Sequence, residues 1–191
     1  MISKLRVGLS VVGVASAMMI AAPAVAQDQG FYIGATLGQS KAKDGCEDVS
    51  GSCDEKDSAW RILGGYQFNK NLAVEFGYTD LGEVSGDEAG FGPFSVETTV
   101  MELVAVGSWP FANKFSLYGK LGMYRGDTDA SGGGFSVSES NTDLTYGIGL
   151  RWDFTKNLGA RLEYQVYSDV GGGDIGESDA EVISLGVIWK F

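Results

Sequence analysis

The stretch Glu181-Val-Ile-Ser-Leu-Gly-Val-Ile-Trp-Lys-Phe191 alternates between apolar and polar residues over most of its length. Its apolar face carries Ile183, Leu185, Val187, Trp189 and Phe191. Its other face carries Ser184, Gly186 and Lys190, with Ile188 as the single apolar exception. A period of two predicts a β-strand with one apolar and one polar side. Because the apolar face ends in an aromatic pair, we expect lipid to cover it, and we expect this strand to close a sheet.

The first 26 residues have the three parts of a secretory signal peptide. Two basic residues precede an almost wholly apolar run at 7–20, and Ala24-Val-Ala26 forms a cleavage site. We expect cleavage between Ala26 and Gln27, which leaves one mature domain of residues 27–191. An uncleaved membrane anchor is the alternative, but a proline interrupts the apolar run.

The charge of the chain excludes one large class of partners. The 191 residues include 14 Lys and Arg, 25 Asp and Glu, and no His. The signal segment holds two of the basic residues and no acidic ones, so the mature formal charge is −13. Nucleic-acid binding needs clustered Lys and Arg, so we expect no nucleic-acid partner. No later segment has the roughly 18 apolar residues of a membrane helix, so a membrane-spanning mature chain would have to be a closed barrel.

Two cysteines, Cys46 and Cys53, lie in a polar stretch. An exported chain meets an oxidising compartment, so we expect a disulfide that closes a small loop. A zinc site is a poor alternative because the chain offers two Cys and no His. Two free thiols remain the third possibility.

Alternation along the mature chain predicts eight strands. They span residues 31–40, 58–68, 72–79, 98–109, 115–125, 142–154, 158–167 and 181–191. Strands of about 9–11 residues have the length that a tilted strand needs to cross a bilayer.

The connections between these strands fall into two alternating classes. Three are short turns with Lys and Asn between apolar residues: Phe68-Asn-Lys-Asn-Leu72, Phe111-Ala-Asn-Lys-Phe115 and Phe154-Thr-Lys-Asn-Leu158. Four are longer and acidic, at 41–57, 80–97, 126–141 and 168–180. In an up-and-down barrel this alternation places the short turns at one rim and the long loops at the other.

The predicted strands are inside-out compared with a soluble barrel, because their apolar residues share one face and their charges the other. We expect the charged face to line a narrow lumen whose charges pair with one another. The expected lumen residues are Arg61, Glu75, Glu102, Lys120, Arg151, Asp153, Arg161, Glu163 and Lys190. A soluble sheet with these charges in water is the alternative, and it leaves many apolar side chains without a partner.

Five motifs in chain order resemble the OmpA-like and opacity-type surface proteins of Gram-negative outer membranes. They are Gly30-Phe-Tyr-Ile-Gly-Ala-Thr-Leu-Gly38, Gly64-Gly-Tyr-Gln-Phe-Asn69, Glu75-Phe-Gly-Tyr78, Ala160-Arg-Leu-Glu-Tyr-Gln165 and Ser184-Leu-Gly-Val187. The resemblance implies an all-β fold, an eight-stranded antiparallel up-and-down transmembrane β-barrel with both chain ends at the periplasmic rim. It also implies localisation in the outer membrane.

The resemblance further implies roles for individual residues. In the family, inward charges form a salt-bridge network that plugs the lumen, and Glu75, Lys120 and Arg161 match its positions. Arg151 departs from the family pattern, which has an acidic residue there. A terminal aromatic, here Phe191 after Trp189, is the signal that the outer-membrane barrel assembly machinery reads. Longer family members carry a peptidoglycan-binding domain, which we do not expect here.

The function expected from these features is a structural and surface-interaction role. Eight strands leave a lumen only wide enough for side chains, so a general pore is not expected. The expected partners are outer membrane lipids, lipopolysaccharide and a host or matrix molecule at the acidic loops, with the barrel as a monomer. Catalysis is not expected without His as a base, and no cofactor is expected. A narrow gated channel and a soluble ligand-binding barrel of lipocalin type are the alternatives.

Overall fold

The part of the chain that the structure describes consists almost entirely of β-strands. This computed structural model describes residues 29–42, 53–54, 56–88, 92–132, 135–172 and 176–191. The strands are β1 Gly30–Ala42, β2 Cys53–Asp54, β3 Lys56–Asn69, β4 Leu72–Glu88, β5 Gly92–Ala112, β6 Phe115–Gly132, β7 Phe135–Asp153, β8 Leu158–Gly172 and β9 Gly176–Lys190. Within these ranges there is no helix of the length and apolarity needed to cross a membrane.

The eight long strands form one closed antiparallel sheet. Each pairs with its neighbours in chain order, and β1 pairs with both β3 and β9, which closes the barrel. The closure extends to the last residue, because the Phe191 backbone N–H donates to the Phe31 carbonyl at 3.0 Å. The two-residue strand β2 pairs with the far end of β4. The predicted fold class and the predicted role of the last strand in closing the sheet are therefore confirmed.

The connections define two rims. The turn rim holds the connections at 70–71, 113–114 and 154–157, together with the start of β1 and the end of β9. Side chains stabilise these turns: Asn69 Oδ1 accepts the backbone N–H groups of Asn71 and Leu72 at 2.8 and 3.0 Å. In the first turn Asn69 thus mimics a backbone turn, and in the third turn Thr155 Oγ1 does so by accepting the N–H groups of Asn157 and Leu158 at 3.2 and 2.9 Å. The opposite rim is the loop rim.

The strands run much further toward the loop rim than the alternation predicts. The connections predicted at 80–97, 126–141 and 168–180 are mostly strand, because β4 to β9 extend into them. Polar side chains pair across these extensions: Ser95 with Ser131 at 3.1 Å and Thr98 with Thr128 at 3.2 Å, Oγ to Oγ. The predicted lengths of these three connections are wrong because backbone pairing continues where the apolar face ends.

The two faces of the barrel differ as predicted. Apolar side chains on the outside are widely exposed, with Leu37 at 72 % and Leu185 at 63 %. The lumen holds the buried charges, and it also holds apolar residues such as Leu63 and Ile188. Ile188, the apolar exception in the last strand, is only 2 % exposed. Val166 has the same parity on β8 as the outward-facing Leu162 and Tyr164, but it is only 5 % exposed.

Aromatic side chains gather on the outside of the turn rim. Phe115 stacks on Trp152 with ring centroids 5.7 Å apart, and Trp152 meets Phe154 edge to face at 4.4 Å. Trp189 and Phe191 are 48 % and 73 % exposed at the same rim. Such a ring is typical of the level where a membrane meets water, since aromatic side chains are both apolar and polarisable.

A bulge near the loop rim bends β4 against β5. The register shifts between Asp80 and Glu83, and Gly82 adopts a φ of +80° there. A Cβ on Gly82 would lie 2.6 Å from Asp57 Oδ2, so glycine is required both by conformation and by space. Asp57 Oδ2 accepts the Glu83 N–H at 2.7 Å, and Oδ1 accepts the Ser58 N–H at 2.6 Å. These backbone donors lower the pKa of the Asp57 carboxyl.

Candidate functional site

Six charged side chains meet in the middle of the lumen. They are three cations and three anions, and each residue is at most 4 % exposed. This set, called the lumen network below, consists of Arg61, Glu75, Glu102, Lys120, Arg161 and Glu163. Four members come from the inward faces of β3, β4, β5 and β6, one from each strand. The other two, Arg161 and Glu163, lie two residues apart on β8. Equal numbers of opposite charges allow burial without an unpaired ion.

Glu163 lies at the centre of the lumen network. Its Oε1 accepts Arg61 Nη2 at 2.6 Å and Lys120 Nζ at 2.7 Å. Its Oε2 accepts Arg161 Nη2 and the Tyr118 hydroxyl, the latter at 2.7 Å. One carboxylate therefore pairs with all three cations of the lumen network.

Of the other two carboxylates, Glu75 faces Arg161, and Glu102 faces Arg61 and Lys120. Glu75 Oε1 accepts Arg161 Nη1 at 2.9 Å and the Tyr32 hydroxyl at 2.8 Å. Glu102 Oε1 accepts Arg61 Nη1 at 3.0 Å and lies 3.5 Å from Lys120 Nζ. Most lone pairs of the three carboxylates thus have a donor, which is what burial in a low-dielectric lumen requires.

Neutral side chains complete the lumen network, and sequence reasoning that considered only charges missed them. Gln165 accepts Arg61 Nη1 at 2.6 Å and donates to Glu102 Oε2 at 2.5 Å. Tyr167 also donates to Glu102 Oε2, at 2.8 Å. Gln165 and Tyr167 follow Glu163 by two and four residues on β8, so alternation alone predicts that both side chains point into the lumen. Tyr32 and Tyr118 have the same inward parity on their strands.

Two of these tyrosines lie against glycines of the neighbouring strand. Tyr32 is the register partner of Gly65, and Tyr118 is the register partner of Gly149. A Cβ on Gly65 would lie 2.4 Å from Tyr32 Cζ, and one on Gly149 would lie 2.3 Å from Tyr118 Cζ. Each glycine therefore leaves the space through which a tyrosine ring reaches a lumen carboxylate.

The remaining three predicted lumen charges form a second cluster at the turn rim. Arg151 Nε lies 3.0 Å from Asp153 Oδ1, and Lys190 Nζ lies 3.4 Å from Asp153 Oδ2. Among the described residues, no ion pair joins this cluster to the lumen network. The structure thus separates the nine predicted residues into six and three.

Two apolar layers enclose the lumen network. The layer toward the turn rim consists of Tyr32, Leu63, Ala73, Val104, Val106, Tyr118 and Ile188. The layer toward the loop rim consists of Ala59, Leu81, Val100, Tyr124, Tyr167, Ala180 and Val182. On β9, Lys190 belongs to the turn-rim cluster, and Gly186 is the register partner of Arg161 in the lumen network. Ile188 lies between these two positions, so an apolar side chain separates the two charge clusters.

Some predicted site residues are not described. Ala26, Gln27 and Cys46 lie outside the described residues, and of Cys53 only the backbone of β2 is described. The predicted cleavage site and the predicted disulfide therefore stay predictions.

A closed antiparallel barrel with an apolar outside and buried charges inside is the architecture of outer membrane β-barrel proteins. The chain belongs to the OmpA-like transmembrane domain family, whose model matches residues 26–191. The predicted OmpA-like family and the predicted localisation in the outer membrane are thus confirmed. The turn rim accordingly faces the periplasm and the loop rim the outside.

Named relatives agree with this family. Outer membrane protein A of Escherichia fergusonii is 31 % identical over 180 residues, which cover 89 % of this chain and 51 % of that protein. Outer membrane protein A of Serratia marcescens is 32 % identical over 188 residues, which cover 89 % of this chain and 52 % of that protein. The chain therefore spans about half the length of the curated relatives it matches.

Solved structures support the fold. Neisserial surface protein A superposes with a TM-score of 0.65 at 19 % identity, over 85 % of this chain and 97 % of that one. Ail, the attachment invasion locus protein of Yersinia pestis, superposes with a TM-score of 0.58 at 22 % identity, over 85 % of this chain and 99 % of that one. At these identities the likeness concerns the barrel alone.

Proposed function

We propose that this chain is a structural barrel of the outer membrane, closed to solutes by the lumen network, that contacts other molecules through its loop rim. The lumen network carries the first part of the proposal. Its six charges are at most 4 % exposed and pair with one another, so an ion that enters must displace an existing partner.

The space around the lumen network supports a closed lumen. A cavity of about 20 Å³ adjoins Glu75 and Tyr118 on the periplasmic side, and one of about 10 Å³ adjoins Arg61 and Tyr167 on the outer side. A cavity needs roughly 10–15 Å³ to hold one water. Each therefore has room for about one water, and the apolar layers beyond them oppose a continuous water column.

Planar-bilayer recording tests the closed lumen. We expect purified barrel to give no conductance steps, because the ion pairs and both apolar layers must separate before an ion can pass. Glu75→Ala should leave the baseline flat, since the carboxylates of Glu102 and Glu163 still hold the three cations. Reproducible steps from the unmodified protein, altered by Glu75→Ala, would establish the alternative function, a narrow channel.

The outer surface supports the second part of the proposal. The extended strands display acidic and hydroxyl side chains beyond the apolar belt. We propose that this rim contacts lipopolysaccharide and, in adhesion or as a surface antigen, a host or matrix molecule, because surface loops commonly carry binding function. We propose no catalytic role. A deletion strain with unchanged envelope permeability and unchanged binding to cells and matrix would contradict a structural and surface role.

Phe191 is proposed as part of the signal for barrel assembly. Its side chain is 73 % exposed, while its backbone N–H holds the closing strand to Phe31. Phe191→Ser keeps the backbone bond and removes the exposed ring, so we expect severalfold less barrel inserted in cells but near-normal refolding in detergent. Heat-modifiable gel mobility measures the folded fraction in both settings. Equal losses in the two assays would reduce the residue to a packing role.

The exported form is proposed to lack its signal peptide and to carry one disulfide. The A-x-A site before Gln27 and the pairing of Cys46 with Cys53 in an oxidising compartment motivate these two proposals. Intact-mass measurement of protein recovered from membranes should match residues 27–191 with two hydrogens fewer than the reduced chain. A mass that retains the first 26 residues, or both thiols, would contradict the corresponding proposal.

A further inference from the structure

A basic cavity of about 320 Å³ opens at the periplasmic turn rim. The charged side chains in its lining are five cations and one anion: Lys70, Lys114, Lys156, Lys190, Arg151 and Asp153. The chain as a whole carries a formal charge of −11, so this cavity reverses the sign of the molecule. Concave sites lined by one sign of charge concentrate ions of the opposite sign.

Three of the cations come from the three short turns. Lys70, Lys114 and Lys156 are exposed, and within the described residues none of them has an ion-pair partner. Because the turns lie side by side on one rim, the closure of the barrel brings together lysines that are more than 40 residues apart in the chain. The three lysines of the repeated turn motif therefore lie around the mouth of one cavity.

Arg151 lies deeper, at the floor of this cavity. Its Nε pairs with Asp153, but its Nη2 is buried and has no hydrogen-bond partner in the described part of the chain. Arg151 also lines the small cavity that reaches the Glu75–Arg161 pair. A buried donor without an acceptor is costly, and a ligand oxygen in the cavity would satisfy it.

We propose that this periplasmic cavity binds a phosphate group, carried either by a soluble periplasmic compound or by a lipid head group of the inner leaflet. A guanidinium at the floor and ammonium groups around the mouth are the donors that phosphate oxygens accept from most favourably. Asp153 neutralises only part of the positive charge, because it is shared between Arg151 and Lys190. The cavity volume leaves room for the group to which the phosphate is attached.

The test follows backbone amide and arginine side-chain NMR signals of the barrel in micelles of a maltoside detergent, which carries no phosphate. Inorganic phosphate should shift the signals of Arg151 and the three turn lysines saturably, whereas chloride at equal ionic strength should not. A second preparation adds phosphatidylglycerol to these micelles. Shifts with inorganic phosphate assign a soluble source, and shifts only with phosphatidylglycerol assign a lipid head group. Absence of shifts in both preparations, or equal shifts with chloride, overturns the proposal.

Variants locate the binding at the cavity. Arg151→Gln should weaken phosphate binding by about tenfold or more, since it removes a charged donor to the ligand. The triple variant K70Q/K114Q/K156Q should weaken it by a similar factor, and its exposed positions leave the fold intact. Arg125→Gln, which removes one exposed cation outside this cavity, is the matched control and should bind as the unmodified chain does. Unchanged affinity in the triple variant would also overturn the proposal.

Discussion

Glu163→Gln is expected to lower the free energy of unfolding by about 3–5 kcal/mol, the loss typical of breaking a buried ion pair by removing one partner. Glu163 pairs with Arg61, Lys120 and Arg161, so the variant leaves three buried cations facing the two remaining carboxylates. Glutamine keeps the shape of the side chain, and the loss therefore reports charge rather than a cavity.

The measurement is the urea dependence of folding in lipid vesicles, followed by tryptophan fluorescence and by gel mobility of unheated protein. Asp127→Asn is the matched control, because Asp127 faces Arg125 at 4.0 Å in an exposed pair and exposed pairs contribute at most about 1 kcal/mol. A loss in Glu163→Gln no larger than that of this control would show that the central carboxylate does not stabilise the barrel.

Gly65→Ala is expected to cost about 1–3 kcal/mol through overpacking of the lumen. The added methyl would lie 2.4 Å from Tyr32 Cζ. The ring is not free to move aside at no cost, because the Tyr32 hydroxyl donates to Glu75 at 2.8 Å. Displacing the ring therefore also removes one hydrogen bond from the lumen network.

The neighbouring glycine provides the control for this substitution. A Cβ on Gly64 meets nothing within 4 Å, so Gly64→Ala should be neutral or slightly stabilising, since alanine restricts the unfolded chain. A double-mutant cycle with Tyr32→Ala separates the causes: Gly65→Ala should cost much less once the ring is absent. If Gly64→Ala and Gly65→Ala cost the same in the chain that retains Tyr32, the contact between Gly65 and the Tyr32 ring does not limit the lumen packing.

Residue alternation was sufficient to predict the eight strands and which of their faces is apolar. In β9, the apolar set from Ile183 to Phe191 faces outward and Ser184 faces inward, as a period of two requires. The same parity placed Arg61, Glu163 and the other lumen charges inside. Parity is a local property that depends only on the chirality and pleat of a strand, which is why sequence alone predicts it.

Alternation did not predict the strand ends toward the outside. Residues 126–141 contain many Asp, Ser and Gly, which are poor strand formers in isolation. In the barrel, β6 and β7 nevertheless pair continuously from Phe115–Trp152 to Gly132–Phe135. Each pair added to an existing ladder needs little additional ordering, so the hairpin continues past the last apolar residue.

The sequence by itself determined that this protein is a barrel with an apolar outside, a charged inside and short turns at one rim, because these features follow from local periodicity and turn chemistry. Only the tertiary structure decided which charges meet. Closure of the sheet places Glu75 against Arg161 and Arg61 against Glu163, about 86 and 102 residues away along the chain. It also placed Ile188 between the lumen network and the Arg151 cluster, and gathered three turn lysines around one cavity. Such partners depend on the stagger between all eight strands, a property of the closed sheet that no single segment encodes.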